Sequence, residues 1–176
     1  MPPTVAVQKM VGATQSFPLL AVPFFILAGN IMNAGGITER IFAFARALVG
    51  WVSGGLAQVN IAASIIFAGM SGSALADLAG LGAVEIRAMR RNGYPVDFSA
   101  AVTLSSCTIG PLIPPSIIFV IYGLATNTSI GELFLGGALA GLVVAASLMA
   151  YVFAYVKIRK PEWARPGPFR LAEAVR

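Results

Sequence analysis

The residues able to do chemistry in this chain are gathered in one short run, Ala68-Gly-Met-Ser-Gly-Ser-Ala-Leu-Ala-Asp77. Two hydroxyls, a pliable glycine and one carboxylate fall together there. In a soluble protein, Ser-Gly-Ser marks a surface turn. Here residues 47–76 and 78–84 carry no charge, so the turn lies within an apolar chain. Irregular backbone at membrane depth survives only where protein covers it or where it lines a watery cavity. Hydroxyls and bare carbonyls in such a place can hold a small hard cation. Serine nucleophile chemistry needs an adjacent base. The chain has no histidine, Lys9, Lys157 and Lys160 lie at the edges of apolar runs, and Asp77 alone is a poor base. The run therefore does not read as an enzyme site.

Composition sets the surroundings. The 176 residues are 57% hydrophobic and 11% charged, against roughly 25% charged in soluble domains. That points to an all-α integral membrane protein in a lipid bilayer. The net charge of +5 comes from cations at the ends of apolar runs. It signals orientation, not nucleic-acid binding. Cys107 is the one cysteine, which excludes an intrachain disulfide, and a zinc site would have carboxylates alone to use. No cofactor is implied.

Five elements must position the polar run. Residues 1–16 read as a loop, or as a start partway into a longer protein, with no signal-peptide core. Residues 17–35 are expected to form a first transmembrane helix, with Pro18 and Pro23 near its start. Residues 36–53 are expected to form an amphipathic interfacial helix, since Ile37, Ile41, Phe44, Leu48 and Val52 recur at helical steps. A full span there would bury Arg46, at about 2.5–3.5 kcal/mol. Residues 54–92 hold two short apolar helices, the second from about Asp77 to Arg91, around a tip at 71–76. Each is too short for the ~30 Å core. A re-entrant hairpin is the preferred reading, and two full spans are the alternative. The second helix returns to water where Glu85, Arg87, Arg90 and Arg91 appear. Residues 96–126 form a transmembrane helix that must break at 110–116, because Gly110-Pro-Leu-Ile-Pro-Pro-Ser116 cannot continue a helix. Its expected halves are 98–109 and 115–124. Residues 132–156 are the cleanest span, and 157–176 read as a cytoplasmic linker or tail.

Both breaks leave helix ends inside the membrane. C-terminal ends present free carbonyls and N-terminal ends present free N–H groups. We expect a small-cation site formed by Ser71, Ser73 and the carbonyls around Gly72, Gly110 and Pro111. The helix starts at Ser73, Ala74, Pro115 and Ser116 are expected to face an anionic substrate. Asp77, Thr108 and Pro114 are supporting residues, with Asp77 placed as a cap of the second hairpin helix. Each feature singly also has a structural explanation: serines as caps, prolines as a kink, glycines as close-packing sites.

Three stretches resemble the large permease subunit of tripartite ATP-independent periplasmic (TRAP) transporters, the DctM-like family. They are Phe17-Pro-Leu-Leu-Ala-Val-Pro-Phe-Phe-Ile-Leu-Ala-Gly-Asn30, Gly69-Met-Ser-Gly-Ser-Ala-Leu-Ala-Asp77 and Gly110-Pro-Leu-Ile-Pro-Pro-Ser116. The likeness runs over about 7–155. It implies one half of an inverted-repeat secondary transporter, an arm helix over 36–51, and sodium-driven uptake of organic anions such as C4-dicarboxylates or sialic acids. It implies that the cation of the expected site is sodium. It also implies two partners, a small membrane subunit and a periplasmic substrate-binding protein. Family members are more than twice as long, so the chain reads as a fragment covering the first repeat, inactive alone. A single-component sodium–carboxylate symporter of related architecture and a non-transporting membrane module are the alternatives.

Orientation follows by parity. Arg40 and Arg46, then Arg87, Arg90 and Arg91, then Lys157, Arg159 and Lys160 all fall on one face, which the positive-inside rule makes cytoplasmic. The start of this segment is then outside, and the resemblance implies that the membrane is a bacterial inner membrane and the outer side the periplasm. Cysteines placed at Asn92 and Lys160 are expected to label from the cytoplasm alone, and one at Asn127 from the periplasm alone. Labelling of Asn92 and Asn127 from the same side contradicts this topology.

Overall fold

In the computed structural model, residues 34–163 are described without interruption, preceded by Thr4, Val5, Val7, Gln8, Gly12, Pro23, Phe24, Ile26, Leu27, Ala28 and Ile31. Most of the expected first span, and the tail from residue 164, lie outside the described residues. Among the described residues the structure is helical, with no strand. The continuous part contains α1 (Ile37–Val49), α2 (Leu56–Ser71) and α3 (Ala74–Asp77). A π turn (Leu78–Gly82) then leads into α4 (Ala83–Arg91), followed by α5 (Val96–Cys107), α6 (Ile117–Thr126) and α7 (Ile130–Arg159).

Helix α2 is the centre. From Leu56 to Ser64 every residue is buried, as expected of a helix apolar on all sides. It packs against α1, α5 and α7. Its few polar residues are paired across the interior. Asn60 Nδ2 donates to Thr103 Oγ1 at 2.7 Å, and Gln58 Nε2 donates to the Met149 carbonyl of α7 at 2.9 Å. Ser64 donates to Ser106 at 3.1 Å. Side-chain bonds of this kind join helices in lipid, where the hydrophobic effect between them is absent.

The seam between α1 and α2 uses Thr38, Ile41, Phe42 and Ala45, which are buried. The apolar stripe noted in the sequence shares Ile41 with this seam and otherwise lies mostly on another face. Ile37, Phe44 and Leu48 stand exposed. In a membrane a recurring large apolar face marks lipid as readily as a core, and small residues mark the packed side. Helix α7 follows the same rule. Leu135 and Leu139 are 72% and 69% exposed, while Gly137, Gly141, Ala145, Val152 and Val156 are buried. Among the described residues α7 is the one helix long and apolar enough to cross a membrane, and α2, α5 and α6 are shorter apolar helices.

An aromatic cluster ties the ends of these elements together. Trp163, just beyond α7, lies 4.6 Å from Tyr94 and 4.8 Å from Phe98, ring centre to ring centre. Phe98 stacks on Tyr155 at 5.5 Å. The Tyr94 hydroxyl donates to the Gly54 carbonyl at 3.1 Å and accepts from Leu56 N–H at 3.3 Å. Burial pushes its pKa up, so it keeps the proton it donates. It thereby pins the turn that joins α1 to α2.

Several boundaries differ from the sequence expectation. Helix α5 ends at Cys107 and α6 starts at Ile117, so the interruption is wider than 110–116. Helix α7 begins at Ile130, capped by Ser129, which shortens the expected polar loop. The second hairpin helix begins at Ala74, not Asp77, because Ser73 caps it. Glu85, expected to meet water, is fully buried.

Gly137 carries a packing prediction. A Cβ there would strike the Phe119 ring and lie 2.7 Å from the Leu112 carbonyl, whereas one at Gly136 would meet nothing within 4 Å. Gly137→Val is expected to destabilise the protein by about 1–3 kcal/mol through overpacking, and Gly136→Val by far less. Thermal unfolding of the two variants in detergent tests this. Equal losses contradict the packing described.

Candidate transport site

Two interruptions meet at the head of α2. The first follows Ser71. Gly72 turns the chain with φ 59°, its N–H bonded to the Ala68 carbonyl, and Ser73 is extended. Few residues other than glycine take that conformation. The Ser73 hydroxyl accepts the Ala76 N–H at 3.4 Å, capping α3, while Ser73 N–H reaches Ser71 Oγ at 3.5 Å. The second interruption spans residues 108–116. There Gly110 N–H bonds to Cys107 and Leu112 and Ile113 N–H both bond to Ile109, after which Pro114 and Pro115 have no N–H to give. Extended Ser116 then caps α6 by accepting the Phe119 N–H at 3.4 Å.

The two interruptions interlock through glycine. A Cβ on Gly72 would strike the Pro115 carbonyl and lie 3.2 Å from Ser116 Cα. A Cβ on Gly110 would lie 3.2 Å from both the Ala74 nitrogen and the Ser73 carbonyl carbon. The Pro114 carbonyl stands 4.0 Å from the Cβ position of Gly69. Among the described residues, no backbone N–H bonds to the carbonyls of residues 110–115. Unpaired carbonyls from the break therefore face the end of α2, whose own last carbonyls lack intrahelical partners. Two capped helix starts, at Ser73 and Ser116, lie beside them. The arrangement offers oxygens to a cation and N–H groups to an anion within one small region.

The structure brings Ser71, Gly72, Ser73, Ala74, Gly110, Pro115 and Ser116 into this region. Ser71 and Ser116 are buried, and Ser73, Ala74, Pro111, Pro114 and Pro115 are half-buried. Thr108 is not brought in. It is exposed, and its hydroxyl turns back to the Ser105 carbonyl at 2.7 Å. Asp77 makes no cap bond. It is wholly buried, and neither of its oxygens has a hydrogen-bond partner. Sequence reasoning missed the polar layer behind the tip: Asn60, Ser64, Thr103, Ser106 and Glu85, all fully buried. The signal was present. Asn60 and Ser64 are four apart on α2, Thr103 and Ser106 three apart on α5, so each pair shares one helix face.

A helical protein with one buried central helix, two facing helix breaks and an apolar exterior is the class this geometry defines. The family model for the "Tripartite ATP-independent periplasmic transporter, DctM component" matches residues 1–172. The chain is 55% identical over 154 residues to the sialic acid TRAP transporter large permease protein SiaM of Vibrio cholerae, covering 88% of this chain and 36% of that protein. It is 54% identical to the sialic acid TRAP transporter permease protein SiaT of Haemophilus influenzae, covering 88% and 25%. The C4-dicarboxylate TRAP transporter large permease protein DctM of Vibrio cholerae is 46% identical, with 81% and 31% covered. The chain belongs to the DctM family of TRAP transporter large permeases, which are membrane proteins. It spans about a third of the length of SiaM.

Gly72 is the position most sensitive to change. Gly72→Ala combines a strained φ with a clash against the Pro115 carbonyl. In a complete large subunit it is expected to lower uptake at least about tenfold, an effect of some 1.4 kcal/mol or more on the transport barrier. Gly69→Ala, with 4.0 Å of clearance, should retain most activity. Uptake assays at matched expression test the pair, and an active Gly72→Ala protein contradicts the interlock.

Proposed function

We propose that this chain is part of the permease of a sodium-driven TRAP-type secondary transporter that imports organic anions delivered by a periplasmic binding protein, working with a small membrane subunit. The carrying observation is the interlock of two helix breaks through Gly72 and Gly110. Secondary transporters place discontinuous helices at the midplane, where carbonyl ends coordinate sodium and N-terminal ends face anionic substrate groups. In this reading α2 to α4 form a re-entrant hairpin, α5 and α6 form a broken span, and α1 is the interfacial arm. The basic clusters face the cytoplasm. Sodium sits among Ser71, Ser73 and the carbonyls near Gly72, Gly110 and Pro111, joined by those of Pro114 and Pro115. The substrate carboxylate meets the helix starts at Ser73–Ala74 and Pro115–Ser116. Two relatives above half identity carry sialic acid names, which favours a carboxylated sugar over a C4-dicarboxylate. Alternating access needs the other repeat as well, so the 176-residue chain alone should not transport.

The experiment is a sodium titration of uptake in a complete transporter. Ser71→Ala or Ser73→Ala removes one hydroxyl from the shell and leaves the carbonyls. Apparent sodium affinity should fall severalfold, and substrate affinity at saturating sodium should change less. If the hydroxyls serve as structural caps alone, stability falls by about 1 kcal/mol with an unchanged sodium curve. Superimposable curves after correction for expression refute the site.

A further inference from the structure

We propose that the hollow between α5 and α7 holds an acyl chain of an anionic phospholipid, with Arg159 meeting the phosphate of its headgroup. The inference rests on the placement of the basic clusters at the cytoplasmic membrane surface, and not on sodium or substrate.

The hollow has a physical cause. Helices α5 and α7 each pack against α2 and touch one another at few points. A gap of about 200 Å³ stays open between them. Ile61 of α2 forms its floor with Val102 and Val152, all three buried. Ala101 and Ser105 line it with side chains too small to fill it. Both are exposed, so the hollow opens on the outer surface of the bundle. Its volume is below the roughly 300–1,000 Å³ of pockets that enclose whole small molecules. A narrow, mostly apolar gap open to lipid suits a hydrocarbon chain. Its rim is unsuited to another helix. Tyr151, which lines it, and Leu104, beside Ser105, stand 65% and 55% exposed, whereas helices that pack in lipid meet through small residues.

One end of the hollow is marked as the membrane surface. Phe98 and Tyr155, both lining it, stack at 5.5 Å, and Trp163 lies 4.8 Å from Phe98. Aromatic side chains gather at headgroup level. Helix α7 reaches this end with its C-terminus. Leu148, Tyr151, Val152 and Tyr155 line the hollow at helical steps. Arg159, the last residue of α7, returns to within about 20° of Leu148 around the helix. It therefore continues the lining stripe, about 6 Å beyond Tyr155 along the axis, and it is exposed. Exposed Lys160 follows it. The neighbouring acids lie off this line. Asp97 is turned about 100° from Phe98 around α5, and Glu162 lines a separate hollow with Arg46. A chain lying between α5 and α7 thus has its polar end at a cation. A guanidinium pairs with phosphate through two parallel hydrogen bonds, and the cytoplasmic leaflet supplies anionic headgroups.

A photoreactive phosphatidylglycerol, with a diazirine on its acyl chain, tests this. The complete large subunit with its small subunit is placed in phosphatidylethanolamine vesicles containing the probe and illuminated. Mass spectrometry should find label on residues 98–105 and 148–155 well above that on the outward positions Leu135 and Leu139. Ala101→Phe, which fills the hollow, should bring that label down to the outward level and leave the label elsewhere unchanged. Arg159→Gln, at an exposed position, should lower it about fivefold, the worth of one cation near an anionic headgroup, and should little affect the matching phosphatidylethanolamine probe. This second variant carries the test if Ala101→Phe does not fold. Label spread evenly over the outward face shows bulk lipid alone and overturns the site. An unlabelled hollow in the wild type shows that another segment of protein covers it, and also overturns it. Undiminished phosphatidylglycerol labelling in Arg159→Gln overturns the headgroup contact. Labelling needs neither sodium nor substrate, so its outcome is independent of the sodium titration.

Discussion

A helix interrupted inside an apolar layer exposes carbonyls and amides that lipid cannot satisfy. This protein holds two interruptions face to face, and the separation between them is set by atoms that are missing. Gly72 lies against the Pro115 carbonyl and Gly110 against the Ser73–Ala74 peptide. With any side chain at either position the breaks would be pushed apart, and the unpaired carbonyls would lose their common focus. The prolines act in the same direction: they remove donors that would have reclosed the helix.

The rest of the structure supports that contact from outside. Gly137 and Gly141 let α7 approach Leu112, Ile113 and Phe119 closely, so the break is clamped between α7 and the hairpin tip. The Tyr94, Phe98, Tyr155 and Trp163 cluster joins the opposite ends of the elements. Along α7 small residues face inward and large apolar ones outward, the reverse of a soluble core. Van der Waals contact between closely approaching backbones, with a few interhelical hydrogen bonds, supplies the cohesion.

This reversal governs what the sequence could disclose. The interruptions were legible because Ser-Gly-Ser and three clustered prolines are local signals, indifferent to surroundings. The packed face of α1 was not, because Phe44 and Leu48 obey the same periodicity whether lipid or protein covers them. Glu85 was misplaced for a related reason. It stands two residues before Arg87, and proximity to cations along the chain says nothing about which face a helix residue occupies. The role of Asp77 was misjudged because Ser73 competes for the same cap and, being extended, holds the geometry a cap requires.

The π turn at Leu78–Gly82 explains how two carboxylates on one helix are both kept from lipid. Asp77 and Glu85 are eight residues apart, and at 100° per residue an unbroken α-helix would rotate them by about 80° from one another. One would then point toward the edge of the packed face. A π turn bonds i to i+5 and rotates the chain less per residue. Across its five residues it takes back most of that offset, so that Asp77, Leu81, Glu85 and Met89 are all fully buried. The glycines at 80 and 82 make the wider turn easier to pack: at Gly82, a Cβ would lie 3.0 Å from Leu78 Cδ1 and 3.3 Å from Thr103 Cγ2. A charged side chain in a membrane is tolerated where it faces the interior of the bundle. A break in helical register, costly in itself, is the local device that turns both acids to that side.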